Sequence, residues 1–370
     1  MVPRRSLSAP VLLLVSLLAA ACAGPLEPQG VGDTAAHHYT IGMKFLETGE
    51  AARAQEEFER ARGLDPDYAP AYEGLGLVAL MRKDTAAAES LLKRSKSKDS
   101  KYVPAYLGLA RVYMATNDLD RARGEAESAI KREPRNARAR LVLGQVFLKA
   151  YEFTKAEASF SRALELEPTS AEARREWDRS VKIRQASPGT LVGKRIALAD
   201  PVTRGELAAL LATELGVETH LRKRRPELFD PSFRPPGAPS AGPAGPVAPT
   251  DIGGHWAKNA IELVMRLNLM DPYPDGQFRP DESVTRAGLA TTLEQVLSVI
   301  ANDPGLKTRH LGQQSPFPDV RSDHFAFNAA LVVTTRGLME SERPSGAFRL
   351  GNPVSGPEAL LAMRKLAEVF

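Results

Sequence analysis

A repeat of 34 residues constrains the fold of this chain more than any other feature. The segment Asp65-Pro-Asp-Tyr-Ala-Pro-Ala-Tyr72 is followed 34 residues later by Asp99-Ser-Lys-Tyr-Val-Pro-Ala-Tyr106. Pro66, Pro134 and Pro168 keep this spacing or a multiple of it. A period of this length indicates one supersecondary unit stacked several times, because a single unit cannot bury its apolar face. The sequence therefore predicts a repeat solenoid in the first half of the chain.

Small residues recur in each unit at positions where two helices must approach closely. Gly42 occurs with Phe58 in the first unit, and Gly144 occurs with Phe160 in the fourth. A proline or serine then ends the second helix and prepares the next unit. The pattern closely resembles the tetratricopeptide repeat in four copies, of which the second is the poorest match. The resemblance implies an all-α solenoid over residues 35–186, made of four helix pairs and a solvating cap helix.

The same resemblance implies a concave groove that is lined by the first helix of each repeat. This lining is mostly apolar and does not resemble the basic clamp with which some tetratricopeptide proteins bind C-terminal carboxylates. We expect the groove to take an apolar or amphipathic peptide of another envelope protein. Two alternatives stay open: the C-terminal half covers the groove, or the side chains serve ordinary packing between helices. The implied lining residues are Tyr39, Met43, Leu46, Leu77, Leu80, Leu107, Arg111, Met114, Leu141, Gln145 and Leu148.

A second pattern, of an apolar helix, a long loop and another helix, occurs nearer the C-terminus. An apolar stripe with helical spacing runs from Trp256 to Leu267. A Pro-Asp-Gly sequence then predicts a turn, and Thr285 suits the N-cap of the second helix. The segment from Asp251 to Arg286 closely resembles an S-layer homology (SLH) motif, whose members dock proteins onto bacterial cell-wall polymers.

Two further copies of this motif are incomplete. Residues 192–225 resemble its second half without the front helix, and residues 315–370 form a divergent copy beyond the full one at 251–300. The Pro/Gly/Ala-rich residues 226–250 have no apolar period and are expected to form a linker. The resemblance therefore implies a helical SLH-type domain over residues 187–370.

The Thr-Arg-x-Glu signature of the motif separates into two roles. A Thr or Ser followed three residues later by Glu predicts a capping box, in which side chains bond free backbone N–H groups at a helix start. The arginine is not needed for capping. The resemblance implies that it binds wall polymer, because a guanidinium suits an anionic sugar substituent through paired donors. The first copy has Thr203, Arg204 and Glu206, the second has Thr285, Arg286 and Gly288, and the third has Ser355, Gly356 and Glu358.

At most two of the three copies thus carry the arginine of the polymer-binding site, Arg204 and Arg286. By the same resemblance Asp251 and Trp256 belong to this site, and Asp319 matches Asp251 in the third copy. The alternative is a degenerate domain that serves only as a packing module. In that case Trp256 is a core residue and Asp251 caps its own helix.

The N-terminus is typical of a secretory signal peptide. Arg4 and Arg5 precede a short apolar run that is followed by small residues and Cys22. The run is too short to span a membrane as a mature helix. The stretch resembles a lipobox, with Ala19 where leucine is usual. The resemblance implies a lipoprotein whose Cys22 carries the lipid.

This interpretation divides the N-terminus into a signal peptide, residues 1–21, and a tether, residues 22–34. Ala23 follows the cysteine where an aspartate would indicate inner-membrane retention, so we expect an outer-membrane location facing the periplasm. Cys22 is the one cysteine of the chain, so no disulfide bond can form within it. The alternative is a plain secretory signal with an incidental cysteine.

No catalytic or metal-binding motif occurs in the sequence. The six histidines form no metal-ligand spacing, and there is no HExxH, GxSxG or phosphate loop. His37 and His38 lie on the first repeat helix, where packing or solvent contact is expected. The formal charge of +4 does not indicate nucleic acid. We therefore expect a non-enzyme without cofactor or metal, and without a nucleic-acid partner.

Together these features predict an envelope-anchored scaffold. The repeats would bind a partner protein, the SLH motifs would bind peptidoglycan or a wall-linked polymer, and the lipid on Cys22 would bind the membrane. The alternative is an outer-membrane assembly lipoprotein for a pilus, a secretion system or polysaccharide export, with an SLH module that does not bind. The partner, the sugar and the oligomeric state cannot be predicted from the sequence.

Overall fold

A computed structural model describes residues 26–229 and 249–369 of the chain. The predicted signal peptide, the predicted lipidation site Cys22 and most of the predicted linker lie outside these described residues. Within them the chain is all-α, as predicted, and the only β-type pairing consists of isolated bridges.

Among the described residues, the segment 35–166 forms eight helices with the predicted 34-residue period. The first helices of successive repeats begin 34 residues apart, and so do the second helices. Helices α1 and α2, α3 and α4, and α7 and α8 pack as antiparallel pairs. The helices are α1 (Ala35–Glu47), α2 (Ala51–Leu64), α3 (Ala69–Met81), α4 (Thr85–Lys98), α5 (Val103–Ala115), α6 (Leu119–Arg132), α7 (Ala137–Lys149) and α8 (Phe153–Leu166).

The described residues fall into two compact bodies: an N-terminal body that ends at Thr116, and a C-terminal body that begins at Asn117. In the N-terminal body the buried Phe58 lies against Gly42 and Gly74. A Cβ atom added to either glycine would come within 2.6 Å of the Phe58 ring. The predicted Gly42, together with Gly74, therefore permits close helix approach, because a larger side chain would collide with the aromatic core.

The second repeat departs from the family pattern at Ser95, and the fold accommodates this departure. Ser95 is completely buried, and its hydroxyl donates a hydrogen bond of 2.7 Å to the carbonyl oxygen of Ala69. A buried hydroxyl without a partner would be destabilising. This bond satisfies the serine while joining α4 to α3.

The C-terminal body begins with α6 to α8 and continues into α9 (Ala171–Ala186), the predicted cap helix. The prediction that α9 is a solvating cap was incomplete. Ala173, Ser180, Ile183 and Ala186 are buried, and α9 packs against both α8 and the last helix of the chain. Its polar outer positions suit a cap, but its apolar stripe also joins the repeats to the residues that follow.

Residues 187–229 and 249–369 form the C-terminal domain, which is made of short helices and loops. The first motif contains α10 (Leu191–Ile196), α11 (Arg204–Ala209) with a π-helical turn over Leu210–Glu214, and α12 (Val217–Arg224). The second motif contains α13 (Lys258–Arg266) and α14 (Arg286–Ala301), and the third contains α15 (Phe327–Thr335) and α16 (Gly356–Ala367). Single 3₁₀ turns cover Pro226–Phe229, Thr250–Ile252 and Pro304–Thr308.

The three motifs close into a ring through three buried valines. Val202 donates its backbone N–H to Val354 O at 2.8 Å, Val354 donates to Val284 O at 2.9 Å, and Val284 donates to Val202 O at 2.8 Å. Each valine lies directly before the N-cap residue of its motif's second helix. Every motif therefore contacts both of the others, and the domain has approximate threefold symmetry.

The first motif contains a short helix, α10, that was not predicted from the sequence. Helix α10 has six residues, too few to show an apolar period in the sequence. The loop from Ala197 to Pro201 is much shorter than the loops that precede Val284 and Val354. The first motif is therefore truncated mainly in its loop.

No helix in the described ranges is long and apolar enough to cross a membrane.

Candidate functional site

Arg204, at the start of α11, extends onto the loop of the second motif. Its Nε donates to Phe278 O and its Nη2 to Asp271 O, both at 2.9 Å. The guanidinium carbon lies 4.7 Å from the ring centroids of both Tyr273 and Phe278. Burial lowers the pKa of Arg204, partly offset by Tyr273 and Glu282. An arginine stays charged despite such a shift, so this interface holds a fixed cation.

Arg286, at the start of α14, makes the equivalent contacts with the third motif. Its Nε donates to Phe348 O at 2.7 Å and its Nη2 to Glu340 O at 2.6 Å, with the Phe348 ring at 4.7 Å. Its Nη1 also forms an ion pair with Glu358. Burial lowers the pKa of Arg286, against the opposing effect of Asp319 and of Glu342. The two predicted arginines thus lie in equivalent but separate interfaces.

Asp251 and Asp319 organise the loops that the arginines contact. Asp251 accepts hydrogen bonds from the amides of Phe278 at 3.0 Å and Arg279 at 2.6 Å. Asp319 accepts the equivalent pair of amides at 2.8 and 2.7 Å. Burial opposes ionisation, but these amides lower the pKa of both carboxyl groups overall. Asp251 therefore binds a distant loop and does not cap α13, whose N-cap residue is Ala257.

The third interface is closed by backbone where the other two hold an arginine. Gly356 donates its N–H to Ala199 O at 2.8 Å. A Cβ atom at this glycine would collide with the carbonyl of Ile196. The short loop of the first motif thus lies against the position that Arg204 and Arg286 occupy elsewhere. Glycine is required here because the loop backbone fills this space.

Two motifs have the residues of a capping box, but only the first motif forms one. Thr203 and Glu206 form the complete predicted box, and Thr285 caps α14 by accepting the N–H of Gly288. The box predicted for Ser355 and Glu358 was wrong, since Ser355 makes no side-chain cap bond. The carboxylate of Glu358 instead faces the guanidinium of Arg286.

Trp256 is exposed, so the alternative that it is a core residue was wrong. It precedes α13, and half of its surface is accessible to solvent (50%). The guanidinium carbon of Arg195, on α10, lies 3.9 Å from the centre of its ring. The core stripe of this helix consists of Ala257, Ile261, Val264 and Leu267.

Phe325 is the counterpart of Trp256 in the third motif and is 81% exposed. Each aromatic residue follows a histidine whose Nδ1 accepts the amide two residues later, His255 from Ala257 and His324 from Ala326. The domain therefore presents two aromatic side chains at equivalent surface positions.

The predicted groove residues of the N-terminal body divide into half-buried and buried ones. Tyr39, Met43 and Leu77 are half-buried, whereas Leu107 is buried and packs within the body. The hydroxyl of Tyr39 donates to the buried carboxylate of Glu73 at 3.0 Å. Burial, together with Glu73, raises the pKa of Tyr39. The remaining predicted residues of this body, Leu46, Leu80, Arg111 and Met114, are also half-buried.

In the C-terminal body the predicted groove residues Leu141 and Leu148 are buried. Gln145 is half-buried, and its amide donates to Glu172 at 3.2 Å. The burial of these two leucines agrees with the alternative that they serve packing between helices.

His38 has two carboxylate partners that the sequence did not suggest. Its Nε2 lies 2.6 Å from Asp33 Oδ1 and its Nδ1 lies 2.5 Å from Glu57 Oε2. Arg60 also pairs with Asp33. Burial opposes the charged form, but the two carboxylates raise the pKa of His38 overall. The pairs hold the end of the predicted tether on α1 and α2; no cluster in the described part of the chain has the composition of a metal site.

Sequence reasoning missed three contacts of the candidate site. They are the ion pair of Glu358 with Arg286, the position of Arg195 over Trp256, and the backbone contact of Gly356. Only the last left a signal in the sequence, since glycine replaces arginine at a signature position. The other two join residues far apart in the chain.

Comparison with known proteins supports the two resemblances. A tetratricopeptide repeat family model matches residues 39–102 and 107–179, and an S-layer homology domain model matches residues 250–289. The chain is 29% identical over 168 residues to Cell surface glycoprotein 1 of Acetivibrio thermocellus, covering 45% of this chain and 6% of the relative. It is 34% identical over 97 residues to the Cellulosome-anchoring protein of the same organism, covering 26% of this chain and 17% of the relative.

The chain thus spans less than a fifth of either relative. Among solved structures, a thermophilic tetratricopeptide repeat protein of Thermus thermophilus is 20% identical, with a TM-score of 0.38, and the match covers 40% of this chain and 81% of that one. Both matched modules are non-catalytic binding modules. The chain therefore contains tetratricopeptide repeats, a protein-interaction module, and a C-terminal S-layer homology domain, a cell-wall anchoring module.

Proposed function

We propose that this protein is a scaffold of the bacterial envelope that holds a partner protein next to the cell wall. Residues 35–186 would bind the partner, and residues 187–370 would bind peptidoglycan or a wall-linked polymer. Lipid on Cys22 would anchor the chain in the outer membrane, facing the periplasm. In this role the protein links membrane and wall and catalyses no reaction.

The observation that carries the wall-binding proposal is the fixed position of Arg204 and Arg286. Each guanidinium is held by two backbone carbonyls on the loop of the next motif. A guanidinium has five N–H donors, so the carbonyls fix its orientation without using all of its donors. A preoriented cation suits an anionic substituent of a sugar polymer, because little side-chain freedom is lost on binding.

The other proposed site residues have supporting roles. Asp251 and Asp319 would act as positioning residues, since both of their carboxylate oxygens accept loop amides. The exposed ring of Trp256 would pack against the apolar face of a sugar. Arg195, which lies over one face of this ring, would keep it in place.

Partner binding would use the half-buried side chains of the repeats. Tyr39, Met43 and Leu77 offer apolar surface, which suits the apolar face of an amphipathic peptide. Methionine adapts to irregular apolar partners because its side chain is flexible and polarizable. The buried Leu107 belongs to the same body and would support the packing of these helices.

Co-sedimentation with purified sacculi tests the wall-binding role. The mature full-length chain is expected to sediment with sacculi, and the double variant Arg204→Ala/Arg286→Ala is expected to stay largely in the supernatant. Circular dichroism must show that the double variant is folded. Undiminished sedimentation of the folded double variant would contradict the role of the arginines.

Photo-crosslinking in cells tests the partner-binding role. A photoreactive residue in place of Met43 or Leu77 is expected to capture another envelope protein. The same residue at the exposed Glu59 serves as the control, since it lies on α2, the second helix of its repeat. Adducts formed only within the chain would remove the peptide hypothesis.

The deletion phenotype separates the scaffold from an assembly factor. General fragility of the envelope is expected for a link between membrane and wall. Loss of one secreted or surface structure, with an otherwise sound envelope, would favour the assembly factor instead.

A further inference from the structure

We propose that only one of the two arginine interfaces, the one that contains Arg204, is open to an anionic ligand, because Glu358 occupies the other from within the chain. This inference rests on the proposed wall-binding function and specifies which part of the domain performs it. Glu358 and Gly288 are then the residues that determine how many anions the domain takes.

The two interfaces are equivalent in their backbone. Arg204 donates its backbone N–H to Glu282 O, and Arg286 donates its own to Asn352 O, both at 2.9 Å. The side chains donate to matching loop carbonyls, and the same aromatic position, Phe278 or Phe348, lies 4.7 Å from each guanidinium carbon. A difference in ligand binding must therefore come from the side chains around each guanidinium.

The Arg286 interface contains its own anion. Glu358 lies at the third position of α16 and pairs with Nη1 of Arg286. The two side chains are only 14% and 28% exposed, so water screens the pair less than at an open surface. An incoming anion would have to displace this carboxylate. Glu342, which pairs with Arg349, also lies nearby.

The Arg204 interface lacks both of these acids. The residue at the third position of α14, which corresponds to Glu358, is Gly288. The residue that corresponds to Glu342 is Tyr273, since each donates its N–H across the same turn, to Ala347 O and Gln277 O respectively.

No carboxylate lies within ion-pair distance of Arg204 in the two described ranges. Glu282 and Asp271 raise the pKa of Arg204 without forming an ion pair with it. Glu282 accepts the Tyr273 hydroxyl at 3.1 Å and lies 3.8 Å from Arg279.

The free donors of Arg204 define the ligand chemistry. The Phe278 and Asp271 carbonyls bond Nε and one N–H of Nη2, which leaves Nη1 and the other N–H of Nη2. Two adjacent N–H groups match a carboxylate or phosphate in a bidentate pair. The proposed ligand is therefore a sugar polymer that carries such a planar or tetrahedral anionic group.

Exchange of the two deciding residues gives a sharp test. Gly288→Glu should close the Arg204 interface, and Glu358→Gln should open the Arg286 interface. A Cβ atom at Gly288 would meet only Thr285 and Val284, at ordinary contact distances of 3.6 and 3.7 Å. A glutamate also suits the third position of a helix capped by threonine, so Gly288→Glu is expected to fold at least as well as the wild type.

Inorganic phosphate serves as the probe, with the Nε–H signals of the two arginines followed by NMR in the full-length chain. Phosphate is expected to shift the Arg204 signal in the wild type and leave Arg286 unchanged. In Glu358→Gln both signals should respond, and in Gly288→Glu neither should. Equal responses of both arginines in the wild type, or of neither, would overturn the proposal.

Sedimentation with sacculi gives the second readout. We expect Arg204→Gln and Gly288→Glu each to weaken sedimentation about tenfold, the loss typical of one charge-assisted contact. Arg286→Gln should weaken sedimentation clearly less than Arg204→Gln does, and adding Glu358→Gln to Arg204→Gln should restore binding through Arg286. Equal losses in the two single arginine variants would overturn the proposal. A wild type that binds phosphate at Arg204 but not sacculi would instead refute the proposed function and keep this inference.

Discussion

The repeat array and the C-terminal domain are both helical, but contacts of very different sequence separation hold them together. In the N-terminal body Phe58 packs against Gly42 and Gly74, on the helices before and after its own. In the C-terminal domain Val202 bonds to Val284 and Val354, which belong to different motifs. A stack of repeats loses stability locally when one contact is removed, whereas a closed ring depends on every interface.

The largest effect is expected where the ring closes. Gly356→Leu would force a side chain into the backbone of Ile196 and should destabilise the C-terminal domain by about 4 kcal/mol. Hydrogen exchange should accelerate throughout α13 to α16, while α1 to α4 keep their protection. Gly351→Leu is the matched control, because no atom lies within 4 Å of a Cβ at that glycine. Similar losses of stability in both variants would show that the contact of Gly356 with the first motif does not determine the stability of the domain.

Removal of a core side chain from the repeat array should destabilise only the helices around it. Phe58→Ala removes the side chain that α1, α2 and α3 share, and should cost about 3 kcal/mol. Faster hydrogen exchange is expected in these helices and unchanged exchange in α13 to α16. Phe45→Ala, at a half-buried position of α1, should cost clearly less. Loss of protection in the C-terminal domain would mean that the two regions are not energetically separate.

The same contrast explains how much of the molecule could be predicted. The 34-residue period determined the number and spacing of the repeat helices, because the interactions that build them lie close together in the sequence. The motif residues Thr203 and Thr285 were also recognised, since capping involves neighbouring residues. The ion pair of Arg286 with Glu358 could not be predicted, because it joins two motifs that meet only after the ring has closed.

The hydrogen bonds with which Asp251 and Asp319 hold their loops should weaken at low pH. Asp251→Asn weakens the bonds to the amides of Phe278 and Arg279 and should cost about 2 kcal/mol. Asp319→Asn should behave alike in the third motif. Because amide bonds lower the pKa of both carboxyl groups, their stabilisation is complete above about pH 3.9 and is lost as the pH falls further. The thermal midpoint of the C-terminal domain should therefore depend on acid differently in the wild type and in the double variant Asp251→Asn/Asp319→Asn. The same acid dependence in both would argue against this role.

The smallest effect is expected at the edge of the array, with the opposite pH dependence. The pKa of His38 is raised, so its bonds to Asp33 and Glu57 stabilise the fold fully below about pH 6.5 and less as the pH rises through the folded pKa. His38→Gln should cost less than about 1 kcal/mol, measured by chemical denaturation at low pH. The difference from the wild type should shrink at high pH, and a difference that grows there would contradict this assignment.

The central claim, that the C-terminal domain binds the wall independently of the repeat array, is tested most directly by the fraction of the full-length chain that sediments with purified sacculi. The chains to compare are wild type, Phe58→Ala and Gly356→Leu. We expect Phe58→Ala to sediment like the wild type and Gly356→Leu to lose at least about nine-tenths of its binding, a tenfold loss. The reason is that opening the ring separates the loops of the second and third motifs from Arg204 and Arg286. Release of Phe58→Ala with retention of Gly356→Leu would place wall binding in the repeats and contradict the account.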